Sequence, residues 1–163
     1  MSIDIVIPCY NEQDNIKNIV KKFNDIKKDK DLNIVNLILV NDGSTDDTWT
    51  RIKEIKDSKI KIIGVKLSKN FGQQYAFLAG IDIVESNYAL LIDADFQDPP
   101  EKIKEMFDIS ISTNANCVYG ERISRKDSFM KKLSSSIYYN IINFLSNNTI
   151  KKNVGDFKLI DKK

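Results

Sequence analysis

The feature that most constrains the fold is a regular alternation between short apolar runs and segments with helical spacing. Four apolar runs have the length and composition of buried strands, at 3–7, 37–40, 60–65 and 88–93. Between them, apolar residues recur every three or four positions, over 16–26, 49–55 and 72–84. Continuously apolar strands that alternate with helices form parallel sheets with right-handed crossovers. The chain is therefore predicted to be an α/β protein with a mostly parallel sheet and helices on both faces.

Candidate ligand-binding residues lie at or just beyond the ends of three of these strands. They are Pro8, Tyr10 and Glu12 after the first strand, Asp42 after the second, and Asp93, Asp95 and Gln97 at and beyond the end of the fourth. Open α/β sheets bind their ligands at this edge, outside the carboxyl ends of the strands. Carboxylate and amide oxygens are hard ligands that suit Mg²⁺ or Mn²⁺ bridging a diphosphate. The sequence thus predicts a metal and diphosphate site at the mouth of the sheet.

Local capping is a second interpretation for some of these residues. Ser44 fits the N-cap of the following helix, a contribution of about 1 kcal/mol. Asp98, with Pro99 and Glu101 after it, fits the start of another helix and would hold the turn behind the metal ligands. Asp42 is not explained by capping and is well placed to accept a hydrogen bond from a base or a ribose. Capping and ligand binding are compatible here.

The composition excludes several kinds of enzyme. The 163 residues, 42% of them hydrophobic, suit one globular domain. They include no histidine, so Ser-His-Asp triads, Cys-His pairs and histidine-ligated metals are excluded. The six glycines form neither GxGxxG nor GxxxxGK, which argues against dinucleotide oxidoreduction and P-loop chemistry. A diphosphate would instead be held by a metal on Asp95 and Gln97 together with cationic side chains. Cys9 and Cys117 are predicted to be small buried residues without a chemical role.

The end of the chain is basic. Residues 121–163 hold ten Lys and Arg against four Asp and Glu. This excess of positive charge indicates either an anionic partner or a solvated face. Nucleic acid is not expected as the partner because no nucleic-acid-binding motif accompanies the charge. Apolar residues over 129–145 recur at helical spacing, and a core helix and a helix lying on a bilayer fit this pattern equally. No signal peptide and no membrane-spanning apolar run occur, so the chain as given is expected to be soluble or peripheral.

Four motifs in order resemble those of family 2 glycosyltransferases, in the branch that transfers sugars to polyprenyl phosphates. They are the segments 6–12, 40–46, 67–74 and 93–101, and the similarity continues through 119–122, 131–135 and 155–159. The resemblance implies a GT-A type fold with a Rossmann-like sheet and a single catalytic domain over 1–163. Within it, 1–120 would bind the nucleotide sugar and 121–163 would form an incomplete acceptor-side part, because the family normally continues beyond this point.

The resemblance also assigns roles to residues. It implies a nucleotide pocket of Pro8, Tyr10, Glu12 and Asp42, with Asp93 near ribose and metal, metal ligands Asp95 and Gln97, and acceptor-phosphate contacts Arg122, Lys131 and Ser135. Asp95 and Asp156 would be the catalytic carboxylates. Lys158 stands where arginine is usual and keeps the charge without the bidentate fork, and Gln73 replaces a frequent histidine.

The implied reaction is inverting transfer of a hexose from a UDP- or GDP-sugar to an undecaprenyl-type phosphate, with Mg²⁺ or Mn²⁺. It would take place at the inner face of the cell membrane, on a cytoplasmic and peripherally bound enzyme of cell-envelope polysaccharide synthesis. A phosphate acceptor, with a second pKa of about 6, needs positioning more than a base, whereas a saccharide hydroxyl would need a base such as Asp156.

Other functions remain open at this point: transfer to a saccharide hydroxyl, and a non-catalytic remnant that binds nucleoside diphosphates. A haloacid-dehalogenase-like phosphatase, with Asp93 as nucleophile and Asp95 as acid, is disfavoured. Gln97 stands where that family usually has Thr or Val, and the strand-end motifs at 8–12 and 42 would have no explanation.

Overall fold

The computed structural model of the protein describes residues 1–28, 32–121 and 154–163. The chain divides into two compact units, Met1–Tyr119 with Asp156–Lys163, and Gly120–Gly155, and most of the second lies outside the described residues. The strands are β1 Ser2–Cys9, β2 Asn33–Asn41, β3 Lys61–Lys66, β4 Tyr88–Leu91, β5 Cys117–Glu121 and β6 Val154–Asp161. The helices are α1 Ile16–Ile26, α2 Thr48–Lys53, α3 Gln73–Ile81 and α4 Ile103–Thr113, with a 3₁₀ turn at Pro100–Lys102 before α4.

The six strands form one sheet in the order β3-β2-β1-β4-β6-β5. Strands β1 to β4 pair in parallel, so their carboxyl ends meet at one edge. β6 runs antiparallel to β4, with Tyr88 opposite Asp161 and Leu91 opposite Lys158. The predicted α/β class with a mostly parallel sheet is confirmed.

Helices cover both faces of the sheet, as predicted. On one face, buried residues of β1, β2 and β4 pack with α1, Ile52 of α2 and Ile103 of α4. On the other face, the alternate strand residues pack with Ala76 and Phe77 of α3. Gly80 lets α3 lie very close to the sheet, because a Cβ there would be 2.2 Å from Cγ1 of Val6. The continuous apolar character of the strands thus reflects burial on both sides.

The predicted capping was wrong at two places. The 3₁₀ turn has Pro99 at its N-cap and Pro100 at its first position, so Asp98 is not the cap, and Glu101 forms an ion pair with Lys22 of α1. Helix α2 begins at Thr48 after Asp47, and the Ser44 hydroxyl accepts a hydrogen bond from the N–H of Asn11. In each segment, a side chain that the local spacing predicted for a cap instead contacts a group distant in sequence. Glu101 binds Lys22, and Ser44 binds the N–H of Asn11.

Two further features were not anticipated. Strands β5 and β6 carry little periodic signal in the sequence, since Phe157 and Leu159 are the buried apolar residues of β6.

Cys9 is buried as predicted, whereas Cys117 is exposed on β5, and both thiols are free. In the part of the chain that the structure describes, no helix has the length and apolarity needed to cross a membrane.

Candidate functional site

A cavity of about 310 Å³ opens at the carboxyl edge of the parallel strands. Its lining residues are Pro8, Tyr10, Glu12, Asp42, Asn70, Gly72, Gln73, Asp93, Ala94 and Asp95. The structure therefore brings around one cavity all five residues predicted to bind nucleotide and one of the two predicted metal ligands. A larger groove of about 600 Å³, formed by residues of α1, α2 and the segment after α2, contains none of the predicted site residues. Position at the strand ends, rather than volume, identifies the candidate site.

The two loops that follow β1 and β2 are joined by hydrogen bonds. The N–H of Asn11 donates to Oγ of Ser44 at 3.0 Å, and the N–H of Glu12 donates to Oγ1 of Thr48 at 2.8 Å. In return, the N–H of Thr45 donates to Oδ1 of Asn11 at 2.9 Å. Asn11 has a left-handed backbone with φ 55°, a conformation that asparagine tolerates. These contacts fix the backbone on both sides of Tyr10 and Glu12.

Asp42 holds the loop before α3 against the end of β2. Its side chain is 2% exposed, and its Oδ1 and Oδ2 accept the backbone N–H groups of Phe71 and Gly72 at 2.8 and 2.9 Å. The next residue, Gly43, has φ +63°, and a Cβ there would lie 2.2 Å from the carbonyl carbon of Lys69. A larger residue would therefore push this loop away from the sheet.

The same loop contributes three lining residues that were given no role from the sequence, namely Asn70, Gly72 and Gln73. A signal for them existed, since they follow β3 just as the other lining residues follow β1, β2 and β4. What the sequence could not supply was the pair of long-range hydrogen bonds from the loop to Asp42 that brings it to the cavity.

The turn after β4 separates the two carboxylates of the Asp-x-Asp motif from Gln97. Strand β4 ends at Leu91, and Phe96 adopts a left-handed backbone with φ 53°, which costs about 1–2 kcal/mol for such a residue. The Phe96 ring packs against Phe23 at a centroid distance of 6.0 Å, and the N–H of Gln97 donates to Oδ1 of Asp95 at 3.0 Å. Since strand alternation stops before this turn, Gln97 is not among the cavity residues.

The remaining carboxylates fit a metal that binds together with a diphosphate. Asp93 and Asp95 provide the oxygen ligands that Mg²⁺ and Mn²⁺ prefer. Within 1–28, 32–121 and 154–163, no group of three or more acidic, cysteine or histidine residues could hold a metal by itself. Mg²⁺ is commonly bound by one or two carboxylates, with substrate phosphates and water completing its octahedron. The donor set therefore suits such a shared metal rather than a cage made by the protein alone.

Asp156 lies on β6, on the face of the sheet that α3 covers. Phe157 and Leu159 are buried on the opposite face, as strand alternation requires. Oδ1 of Asp156 accepts a hydrogen bond from Nε2 of Gln74 at 3.1 Å and lies 3.7 Å from Nζ of Lys158. The structure thus places Asp156 beside the first turn of the helix whose preceding loop lines the cavity.

Three ionisable groups around this edge have shifted pKa values. Burial, and then the nearby charge of Glu12, raise the pKa of the Cys9 thiol, so the thiol stays neutral and is unsuited to nucleophilic chemistry. A hydrogen bond from Lys22 lowers the pKa of Glu101. Burial would raise the pKa of Asp46, but hydrogen bonds from Thr48 and Gln13 outweigh it and lower this pKa. None of the three lines the cavity.

The predicted acceptor-phosphate residues Arg122, Lys131 and Ser135 lie outside the described residues, as does the amphipathic segment 129–145. The cavity therefore contains the residues predicted to bind nucleotide and the predicted metal ligand Asp95, and Asp156 is the predicted catalytic residue of segment 121–163 whose position is described.

The family model for Glycosyl transferase family 2 matches residues 4–163. An uncharacterized glycosyltransferase of Synechocystis sp. is 36% identical over 164 residues, which cover 100% of this chain and 51% of that protein. A prophage bactoprenol glucosyl transferase homolog of Escherichia coli K12 is 31% identical over 166 residues, covering 99% of this chain and 53% of that protein. The chain spans about half the length of the curated relatives it matches.

Among solved structures, the chain is similar to glucosyl-3-phosphoglycerate synthase from Mycobacterium tuberculosis in complex with Mn²⁺, uridine diphosphate and glucosyl-3-phosphoglycerate. The TM-score is 0.65 at 17% identity, and the match covers 98% of this chain and 56% of that protein. At this level of identity the likeness establishes the fold, and the predicted GT-A type fold is confirmed.

Proposed function

The chain belongs to glycosyl transferase family 2, and from this premise we propose that it transfers a sugar from a nucleoside diphosphate sugar to a polyprenyl phosphate, with inversion and with a divalent metal. The observation that carries the proposal is the single cavity lined by Pro8, Tyr10, Glu12, Asp42, Asp93 and Asp95. Residues 1–120 form the nucleotide-sugar side, and 121–163 belong to the acceptor side. The 31% identical relative is named for bactoprenol, which supports a polyprenyl acceptor.

The chemistry needs few groups from the protein. An oxygen of the acceptor phosphate forms a bond to the anomeric carbon while the bond from that carbon to the diphosphate oxygen breaks, so the configuration inverts. The electron pair leaves with the nucleoside diphosphate, and a metal held by Asp95, with Asp93 beside it in the cavity, would neutralise its charge. Asp42 and Glu12 bind and orient the nucleoside, and Arg122, Lys131 and Ser135 grip the acceptor phosphate. Because the acceptor is a lipid, the reaction takes place at a membrane surface, which we propose to be the inner face of the cell membrane.

The metal requirement is tested by calorimetry with UDP and GDP. Asp93 and Asp95 beside a diphosphate repel it unless a cation intervenes, so binding should need Mn²⁺ or Mg²⁺ and disappear with a chelator. Asp95→Asn should abolish the metal-dependent part, whereas Asp108→Asn, an exposed carboxylate on α4, should behave as wild type. Equal binding with chelator present, or unchanged metal dependence in Asp95→Asn, would show that the metal assignment is wrong.

The acceptor is tested by turnover with a panel of sugar nucleotides and a short-chain polyprenyl phosphate. Lys131→Gln should raise the KM for the lipid phosphate and spare nucleotide affinity, and the defect should deepen with salt because salt screens the attraction between a lysine and a phosphate. Lys53→Gln on α2 is the matched control. Preference for a saccharide hydroxyl would instead assign Asp156 as general base, and nucleotide binding without any turnover would support the non-catalytic alternative.

A further inference from the structure

Two consecutive glutamines at the start of α3 each donate a hydrogen bond to a different carboxylate. Nε2 of Gln73 donates to Oδ1 of Asp93, and Nε2 of Gln74 donates to Oδ1 of Asp156 at 3.1 Å. Both glutamine side chains are exposed, so burial of apolar surface does not explain their placement. Each amide instead donates to a carboxylate, of which Asp93 lines the cavity and Asp156 lies beside the first turn of α3.

The two carboxylates come from neighbouring parts of the sheet. Asp93 follows the end of β4 by two residues, and Asp156 lies on β6, which pairs antiparallel with β4 so that Leu91 is opposite Lys158. Like charges that lie close together repel each other. An amide N–H directed at each of them offsets part of this repulsion and fixes the direction in which each carboxylate points.

The helix that presents these amides is held at both ends. Asp42 accepts the N–H groups of Phe71 and Gly72, immediately before the helix begins, and Gly80 lets the far end lie in contact with Val6. The backbone of Gln73 and Gln74 is therefore fixed to the same sheet that carries Asp93 and Asp156. A fixed backbone limits the rotation of two otherwise flexible side chains, which is what a positioning role requires.

We propose that Gln73 and Gln74 are a pair of positioning residues, in which Gln73 holds the carboxylate on the nucleotide side and Gln74 holds the one on the acceptor side. The division into sides rests on the proposed function, which assigns Asp93 to ribose and metal and Asp156 to the acceptor. The pair lets one helix end set the orientation of both carboxylates.

The test compares the two alanine variants in the full chain. Gln73→Ala should weaken Mn²⁺-dependent binding of UDP or GDP about tenfold, the size expected for one hydrogen bond to a charged group, with KM for polyprenyl phosphate within twofold of wild type. Gln74→Ala should show the reverse, with nucleotide affinity kept and kcat or acceptor KM worse by about tenfold. Gln73→His retains an N–H donor and should recover most of the lost affinity.

A spectroscopic measurement keeps the pair testable if the wild-type chain shows no turnover, an outcome that would count against the proposed function alone. The side-chain amide resonance of Gln74 should move in Asp156→Asn, and that of Gln73 should move in Asp93→Asn, each without the other. Asn18→Ala, an exposed amide on α1, is the control for both readouts and should change neither. Equal effects of the two alanine variants on both substrates, or amide resonances that ignore their partner carboxylates, would overturn the proposal.

Discussion

The two edges of the sheet use carboxylates in opposite ways. Near the amino end of β1, Asp4 is fully buried and accepts five hydrogen bonds, two from Asn36, one from Glu85 and two from Ser86. At the carboxyl edge, Asp93 and Asp95 face a cavity instead. A carboxylate surrounded by hydrogen-bond donors of the protein stabilises the fold, whereas one that faces a cavity is available to a ligand.

Asp42 combines both situations. It is almost as buried as Asp4 and accepts two backbone N–H groups, yet it also lines the cavity. Burial alone therefore does not separate a structural carboxylate from a binding one. The comparison predicts that Asp4 contributes to stability alone, and that Asp42 contributes to stability and to binding.

The largest expected effect is that of Asp4→Ala. This variant leaves the buried N–H groups of Asn36 and Ser86 without an acceptor, and each such group costs about 1–3 kcal/mol. We expect the free energy of unfolding to fall by about 3–5 kcal/mol in urea denaturation, a large part of the stability of a typical domain. Ser2→Ala, at the same edge but hydrogen-bonded only to exposed groups of Asn87, should cost less than about 1 kcal/mol.

A loss below about 1 kcal/mol for Asp4→Ala would remove the distinction between the two edges, since a buried carboxylate with five bonds would then be dispensable. Loss of metal-dependent nucleotide binding in the folded Asp4→Ala variant would also remove the distinction between the two edges.

The predictability of the fold follows from which signals are local. The elements β1, α1, β2 and α3 were located from apolar spacing because their burial follows directly from sequence period. The position of β6 between β4 and β5 was not predictable, because it depends on pairing with a strand more than sixty residues earlier in the chain. The cap predicted at Asp98 failed because a prolyl turn begins one residue later than the local pattern favours.

The residues of the candidate site can be divided in the same way, into those whose position follows from local signals and those whose position depends on distant parts of the chain. Tyr10, Asp42 and Asp95 were placed at one edge because parallel strands end together, and the cavity contains them. The loop before α3 was recognised as part of the motif at 67–74, but its residues were given no role, because its approach to the cavity depends on Asp42, which in sequence lies about thirty residues away. Gln97 follows the alternation of its motif in sequence, but the left-handed backbone at Phe96 interrupts that alternation in the structure.

Asp42→Ala is the intermediate case and should affect two measurements. Loss of a hydrogen bond to a charged acceptor suggests a nucleotide-affinity cost of about 1.5–3 kcal/mol, by calorimetry with UDP or GDP and Mn²⁺. The freed N–H groups of Phe71 and Gly72 should also lower the free energy of unfolding by about 1–2 kcal/mol, less than in Asp4→Ala because this loop lies beside water.

Asp42→Asn refines the result, because its amide keeps one acceptor oxygen for the loop but places an N–H₂ group against the second backbone N–H. It should fall between wild type and alanine in both measurements. Unchanged affinity in Asp42→Ala, with stability lowered, would mean that Asp42 only holds the loop and that base recognition belongs to another lining residue.

The smallest expected effect concerns Asp46, a carboxylate at the functional edge that acts as a structural one. Although burial raises its pKa, hydrogen bonds from the hydroxyl and N–H of Thr48 and from the N–H of Gln13 hold the pKa below the ordinary aspartate value of about 3.9. A lowered pKa in the folded state gives stability that is fully present above the unfolded pKa of Asp46 and is lost as pH falls through the folded pKa. Wild type should therefore exceed Asp46→Asn in free energy of unfolding by less than about 1 kcal/mol between pH 5 and 8, and this difference should decrease only below about pH 4, as pH falls through the folded pKa of Asp46. Thr48→Val removes the hydroxyl donor and should shrink the pH-dependent part. Curves for wild type and Asp46→Asn that stay parallel down to about pH 3 would mean that the loops after β1 and β2 are held without this charge.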